Sequence, residues 1–232
     1  MPAQRAADPA DGLRIGGITP FTTIDFPGRL AAVVFCQGCP WRCGYCHNTE
    51  LLDARAPTRH RWAEVTQLLR ERRGLLDGVV FSGGEPTLQA ALGPALDAVR
   101  ALGLHTALHT AGMYPERLAA LLPRLDWVGL DIKAPLARYE AITATPGSGA
   151  RAFEALVCVL DSGVALECRT TWHPGLFGVD ELMTLAAELH ARGVRHWALQ
   201  ECRAPGAPVW ALTAAQAGQL GAGFERFTLR RA

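Results

Sequence analysis

Three things are missing from this 232-residue chain, and each narrows what it can be. No apolar run approaches the length of a membrane span, and Met1 to Asp11 has no apolar core of the kind a secretory signal needs, so the cytoplasm is the expected compartment. Charge of one sign is lacking as well. Lys and Arg number 23 against 22 Asp and Glu, which leaves no broad field to draw nucleic acid or an anionic membrane. An even complement of cysteines is the third absence. There are seven, four of them packed into Cys36 to Cys46, which argues against a disulfide framework and for metal or cluster ligation. Neither a fixed-period repeat nor a convincing linker interrupts the chain. Residues 1–14 are expected to form a mobile start and 15–232 a single domain.

What is present begins with alternation. Ile15 to Gly28 reads as two short extended pieces joined by turns, a lead-in hairpin, and Leu30 to Cys36 as a strand covered on both faces. Helical spacing follows in Arg61 to Arg73, then a short apolar strand, Gly78 to Phe81, and a helix from about Leu88 to Leu102 closed by Gly103. Three more strand and helix pairs follow: His105–Thr110 with Pro115–Leu122, Trp127–Asp131 with Arg151–Asp161, and Val164–Thr171 with Val179–Arg192. Arg195 to Gln200 is the last core strand. Ala134 to Gly149 reads as a loop with one helical turn around Tyr139, and Ala204 to Pro208 as a second breaker-rich segment. Thr213 to Phe224 reads as a final helix before Phe227 to Leu229, which together form a C-terminal extension. Six strands alternating with helices favour an α/β fold with a parallel sheet, which right-handed crossovers curl toward a barrel.

In such architectures functional groups gather where strands end. Cys39, Cys43 and Cys46 follow the first core strand at C-x3-C-x2-C spacing, and Ser82-Gly83-Gly84-Glu85-Pro86 follows the second. Thiolates are soft ligands for iron-sulfur clusters, zinc or copper(I), and Gly38, Pro40 and Gly44 let the loop bend around such a centre. Two readings of the loop stay open on spacing alone: a structural four-cysteine zinc site that recruits Cys36, and a three-cysteine site on a four-iron cluster with one iron available to a further ligand. Asp131 and Lys133 end the fourth strand on one face, either as functional groups or as a structural ion pair. Cys158, Cys168 and Cys202 sit in apolar or strand-like contexts and read as small buried hydrophobes. His109 reads as a packed or hydrogen-bonded histidine, while Arg169, His173 and Gln200 have ambiguous positions at strand ends.

Three cysteines at this spacing with Tyr45 just before the last, followed by Gly83-Gly84-Glu85, resemble the radical S-adenosylmethionine (SAM) superfamily. The resemblance covers most of the chain and implies a partial (β/α)6 barrel over 15–232. It also implies that Cys39, Cys43 and Cys46 bind one [4Fe-4S] cluster whose fourth iron is chelated by S-adenosylmethionine. Gly83, Gly84 and Glu85 would receive the methionine amino group, Tyr45 would lie near the adenine, and Asp131 and Lys133 would stand beside the S-adenosylmethionine. No side chain is assigned as a catalytic acid, base or nucleophile. A narrower resemblance, to the glycyl-radical enzyme activases and in particular the anaerobic ribonucleoside-triphosphate reductase activating proteins, rests on Gly16 to Gly28, Phe35-Cys36-Gln37-Gly38-Cys39-Pro40-Trp41, Cys46-His47-Asn48, Asp131-Ile132-Lys133 and Arg169-Thr170-Thr171. It implies one-electron cleavage of S-adenosylmethionine to methionine and a 5′-deoxyadenosyl radical, a glycyl-radical enzyme as partner, and an electron donor such as flavodoxin or ferredoxin. A radical enzyme acting on a small metabolite and a non-catalytic iron-sulfur or zinc protein are the competing readings. Related activases often carry Asp-Thr-Asn-Gly after the third strand, where this chain has His109-Thr110-Ala111-Gly112, so an alkali-cation site built on that aspartate is in question. Cys46 to Gly83 holds no further cysteine, hence no inserted two-cluster module.

Overall fold

The computed structural model describes residues 8–202 and 212–231, so the breaker-rich Ala204 to Pro208 lies outside the described residues. The chain divides into two compact units. The first contains the described residues of Met1–Cys39, Glu50–His109 and Pro123–Trp127, and the second those of Pro40–Thr49, Thr110–Leu122 and Val128–Ala232. Among the described residues no helix is long and apolar enough to cross a membrane.

In the first unit Asp8 caps the 3-10 turn Pro9–Gly12 by accepting from the Ala10 amide, and Ala10 and Leu13 are buried. Strands β1 (Ile15–Thr22) and β2 (Ala31–Cys36) pair antiparallel, with Ile18 opposite Val34 and Thr19 opposite Val33. The lead-in hairpin is therefore β1 with β2, and residues 23–30 are its turn rather than a second extended piece. Thr22 Oγ1 donates to Asp25 Oδ2 at 2.6 Å, and Gly28 takes φ +72°, a left-handed value that glycine adopts without steric cost.

β2 runs parallel to β3 (Gly78–Gly83) with Cys36 opposite Gly83, and β3 runs parallel to β4 (His105–Thr110) with Phe81 opposite Leu108. Helix α1 (Trp62–Glu71) buries Trp62, Val65 and Leu69, and the Trp62 ring stacks on Phe81 with centroids 6.3 Å apart. Helix α2 (Leu92–Ala101) starts later than its periodicity suggests. Pro86–Leu88 forms a separate 3-10 turn, because the Glu85 carboxylate accepts from the Thr87 amide and fixes the chain before the helix begins. Phe26, Ala31, Val33, Val80, Ala107 and Trp127 make the core of this unit.

In the second unit β5 (Trp127–Asp131, from Val128 onward) leads through α4 (Tyr139–Thr143) and α5 (Ser148–Ser162) to β6 (Ala165–Trp172). Helix α3 (Pro115–Leu121) has proline at its first turn, where no amide is needed, and packs on α5. The loop before it approaches α5 closely: a Cβ on Gly112 would lie 2.7 Å from the Ala155 Cβ. Strands β6, β7 (His196–Glu201) and β8 (Arg226–Arg230) are parallel, with Cys168 opposite Trp197 and Trp197 opposite Phe227. Helices α6 (Val179–Ala191) and α7 (Ala214–Gly221) complete the unit. The six expected β/α steps are β2 to β7, and the extension adds one full strand, β8, beside the Trp197 ring, which Phe224 and Phe227 approach to 5.2 and 5.3 Å.

Candidate active site

In the first unit, the functional sequence begins where β2 ends. Gln37 is buried, and its side-chain amide donates to the carbonyls of Glu50 at 3.0 Å and Asp53 at 2.9 Å. The Gly38 amide donates to Leu51 O at 2.7 Å and the Cys39 amide to Leu52 O at 3.1 Å. Both ends of the cysteine-bearing loop are thereby pinned together at its base. Gln89 adds a third tie, donating to the carbonyls of Arg14 and Gln37.

Gly83-Gly84-Glu85 lies directly on this base. The Gly84 amide donates to Cys36 O and the Glu85 amide to Gly38 O, both at 2.9 Å. Gly83 takes φ +106°, and a Cβ there would sit 2.6 Å from the Cys36 nitrogen; on Gly84 it would sit 2.3 Å from the Gly38 oxygen. Only hydrogen fits at either position. Glu85 is fully buried, one carboxylate oxygen accepting from the Thr87 amide at 3.1 Å and the Thr87 hydroxyl at 2.5 Å. Ser82, one residue earlier, meets His109 Nδ1 at 3.3 Å, while His109 Nε2 bonds to Asp25 O at 2.8 Å and the ring packs edge-on to Trp127. His109 is a hydrogen-bonded structural residue.

The second unit holds Cys43, Tyr45, Cys46, Asp131 and Lys133. The Cys46 amide donates to Cys43 O at 3.1 Å, closing a turn. Lys133 Nζ stands 3.3 Å from Asp131 Oδ2 and 6.0 Å from the Tyr45 ring centroid. Burial is the largest influence on the Lys133 ammonium and disfavours it, but the Asp131 carboxylate together with Tyr45, Cys43 and Tyr139 more than offsets it and holds the amine above its ordinary range, so it remains charged. Tyr45 is buried, and among the described residues its hydroxyl has no hydrogen-bond partner, an uncompensated polar group of the kind that a ligand satisfies. Of the residues with ambiguous positions, His173 has its Nδ1 accepting from the Gly175 amide in a local turn, and Arg169 O accepts from the Ile132 amide at 2.9 Å.

Among the described residues no three side chains of His, Cys, Asp or Glu are grouped closely enough to hold a metal ion. The fit of an iron-sulfur cluster and S-adenosylmethionine rests instead on the chemistry of the groups that each unit carries. Cys39, Cys43 and Cys46 are partly accessible thiols, Gly83 and Gly84 carry no side chain, and among the described residues nothing satisfies the Tyr45 hydroxyl. Cys36 is different in kind. It is fully buried in β2, and burial, with the Glu85 carboxylate adding to it, pushes its thiol far up from the ordinary cysteine range. Cys168 is shifted the same way by burial. Both thiols are therefore expected to alkylate with iodoacetamide at pH 8 on the order of a hundredfold more slowly in the folded chain than after denaturation, read by peptide mass mapping. Labelling of Cys36 as fast as Cys39 in the cluster-free protein would place it outside the core.

Two contributors were not assigned a role from sequence. Gln37 was visible only as a member of the motif from Phe35 to Trp41, and Tyr139 only as part of a helical turn, yet the first ties the loop base and the second ties β5 to the cysteine loop.

Residues 33–187, more than half of the chain, match the Radical SAM superfamily. A Methanocaldococcus jannaschii protein named as a glycyl-radical enzyme activating enzyme is 28% identical over 180 residues, covering 74% of this chain and 73% of its own length. The pyruvate formate-lyase-activating enzyme of Clostridium pasteurianum is 36% identical over 147 residues, and the pyruvate formate-lyase 1-activating enzyme of Escherichia coli K12 is 38% identical over 126. The matched segments cover 61% and 48% of this chain, and 60% and 48% of those two relatives. The fold is shared with the S-adenosylmethionine-bound crystal structure of Streptococcus suis SuiB (TM-score 0.65, 12% identity, 84% of this chain and 48% of that one). It is shared also with QueE from Escherichia coli (TM-score 0.57, 16% identity, 94% and 93%). The chain belongs to the radical SAM superfamily, whose members use a [4Fe-4S] cluster and S-adenosylmethionine.

Proposed function

We propose that this protein is an activase that cleaves S-adenosylmethionine reductively and generates a glycyl radical on a partner enzyme, with anaerobic ribonucleoside-triphosphate reductase as the first partner to test. The observation that carries the reading is the superfamily match across 33–187 together with relatives that are named as activating enzymes of glycyl-radical enzymes. When bound, the cluster supplies the one electron that splits S-adenosylmethionine into methionine and a 5′-deoxyadenosyl radical, which takes a hydrogen atom from a glycine of the partner.

The chain's own residues divide the remaining work. Cys39, Cys43 and Cys46 supply three thiolates and leave the fourth position to S-adenosylmethionine. Gly83, Gly84 and Glu85 receive the methionine amino group, the two glycines through backbone that carries no side chain. Tyr45 lies against the adenine, and the Asp131 and Lys133 pair meets the polar end of the ligand, the ammonium being suited to a carboxylate or ribose. Flavodoxin or ferredoxin is the class of donor that delivers the electron. The protein acts in the cytoplasm with 15–232 as one radical SAM domain.

A second partner, pyruvate formate-lyase, is favoured by the names of the Clostridium and Escherichia relatives. Incubation of the reconstituted, reduced protein and S-adenosylmethionine with each candidate enzyme is read by electron paramagnetic resonance. A glycyl doublet on the reductase is the expected result. A doublet on pyruvate formate-lyase alone reassigns the partner, and no doublet on any glycyl-radical enzyme overturns the activase reading.

A further inference from the structure

Helix α4 is short, and both of its ends are tied to residues of the candidate site. At its C-terminus Ala144 takes φ 52°, ending the helix in a left-handed conformation that non-glycine residues seldom adopt. The last carbonyls of a helix have no partner within it. Here they are taken by the cysteine loop: the Arg42 amide donates to Thr143 O at 3.0 Å and the Gly44 amide to Ile142 O at 3.2 Å. The turn carrying Cys43 and Cys46 thus caps α4.

At the other end stands Tyr139. Its hydroxyl accepts from the Lys133 amide at 3.1 Å and donates to Asp131 O at 3.2 Å, bridging the two residues that flank Ile132. Ile132 itself is held from β6, by Arg169 O on its amide and the Thr170 hydroxyl on its carbonyl. The hydroxyl therefore completes the backbone bonding where β5 stops. The ring is fully buried and packs edge-on to Trp41 of the cysteine loop at 6.0 Å and to Phe153 at 6.3 Å. Gly149 makes room for it, since a Cβ there would lie 2.9 Å from the Tyr139 Cβ. Burial drives the phenol well up from its ordinary range, so it remains a donor at any working pH.

We propose that Tyr139 is a positioning residue for S-adenosylmethionine: its hydroxyl and ring lock the Asp131–Lys133 strand end to the Cys43–Cys46 turn, so that Lys133 is already aimed before the ligand arrives. The inference rests on the reading of Lys133 as an S-adenosylmethionine contact. Preorganisation of this kind lowers the ordering cost of binding and leaves the chemical step alone.

Tyr139→Phe keeps the ring and removes only the bridge. With the anaerobically reconstituted full-length protein, S-adenosylmethionine affinity by equilibrium dialysis falls about tenfold, the scale of losing a buried bridging hydroxyl. The KM for 5′-deoxyadenosine formation rises in parallel, kcat at saturation stays within about twofold, and iron content is unchanged. Hydrogen exchange at the Lys133 amide speeds up in the same variant. Lys133→Ala is measured alongside. If Lys133→Ala weakens binding and Tyr139→Phe does not, the positioning role is wrong while the Lys133 contact stands. If neither variant changes affinity, the Lys133 contact itself fails and the proposal with it. Loss of iron in Tyr139→Phe equal to the loss of affinity also overturns it, because the residue would then serve the cysteine loop alone.

Discussion

Cys43→Ala is expected to leave a folded chain that cannot hold its cluster, with iron falling from about four atoms per chain to near zero and 5′-deoxyadenosine formation falling below detection. The fold should survive, because what holds the turn is backbone: Gly44 and Arg42 amides on α4 carbonyls, and the Cys46 amide on Cys43 O. None of these bonds uses the thiol. Removing it deletes one of three thiolates from a ligand set that has no protein substitute within Cys39 to Cys46. The contrasting variant is Cys36→Ala. That thiol is sealed in β2 opposite Gly83, so its loss costs about 1 kcal/mol of core packing and keeps the cluster. Iron and sulfide analysis with the electron paramagnetic resonance of the reduced cluster reads both. A Cys36 variant without iron, beside a Cys43 variant that retains it, would reverse the ligand assignment and revive the zinc-type site.

The second large effect is expected at Gly84. In Gly84→Ala the new Cβ would be 2.3 Å from the Gly38 oxygen and 2.7 Å from the Gly38 carbonyl carbon, a contact of backbone on backbone that no rotamer change relieves. The cost is about 3 kcal/mol or more, lowering Tm by roughly 10 °C in a chain of this size. Gly83→Ala adds a left-handed φ of +106° to a clash of 2.6 Å with the Cys36 nitrogen and is expected to be at least as severe. Gly218 in α7, where a Cβ meets nothing within 4 Å, is the control: Gly218→Ala should stabilise by about 0.5–1 kcal/mol. Differential scanning calorimetry separates these outcomes. Because Gly84 lies on the base of the cysteine loop, S-adenosylmethionine cleavage should fall in Gly84→Ala even below its Tm. A Gly84→Ala protein as stable and active as the parent would mean that the close approach at Gly38 is not required.

The strands that carry the site were legible because each is a short apolar run stopped by a chemically marked residue: β2 by Gln37-Gly38-Cys39, β3 by Gly83-Gly84-Glu85, β5 by Asp131. The cysteine loop was legible for the same reason, its spacing being local. What escaped the sequence is non-local or depends on side-chain direction. The Gln37 amide reaches carbonyls 13 and 16 residues onward, and no periodicity marks such a pairing. Tyr139 was legible as the centre of a helical turn but not as a tie, since only the fold shows its hydroxyl returning to the end of β5. The β1 hairpin was misplaced because Ile15 to Gly28 alternates well enough to suggest two pieces, while pairing with β2 is what fixed Ile15–Thr22 as one strand. The Gly-Gly pair was read for its reach toward a ligand. Its first duty in the structure is to let Gly84 cross the Gly38 carbonyl.

The central claim is that three cysteines and the groups around them serve reductive cleavage of S-adenosylmethionine. The most direct measurement is anaerobic reconstitution with iron and sulfide, reduction in the presence of S-adenosylmethionine, and quantification of 5′-deoxyadenosine and methionine. The account predicts a [4Fe-4S] cluster and equal amounts of the two products. Zinc in place of iron, or a fully loaded cluster that yields neither product, would contradict it.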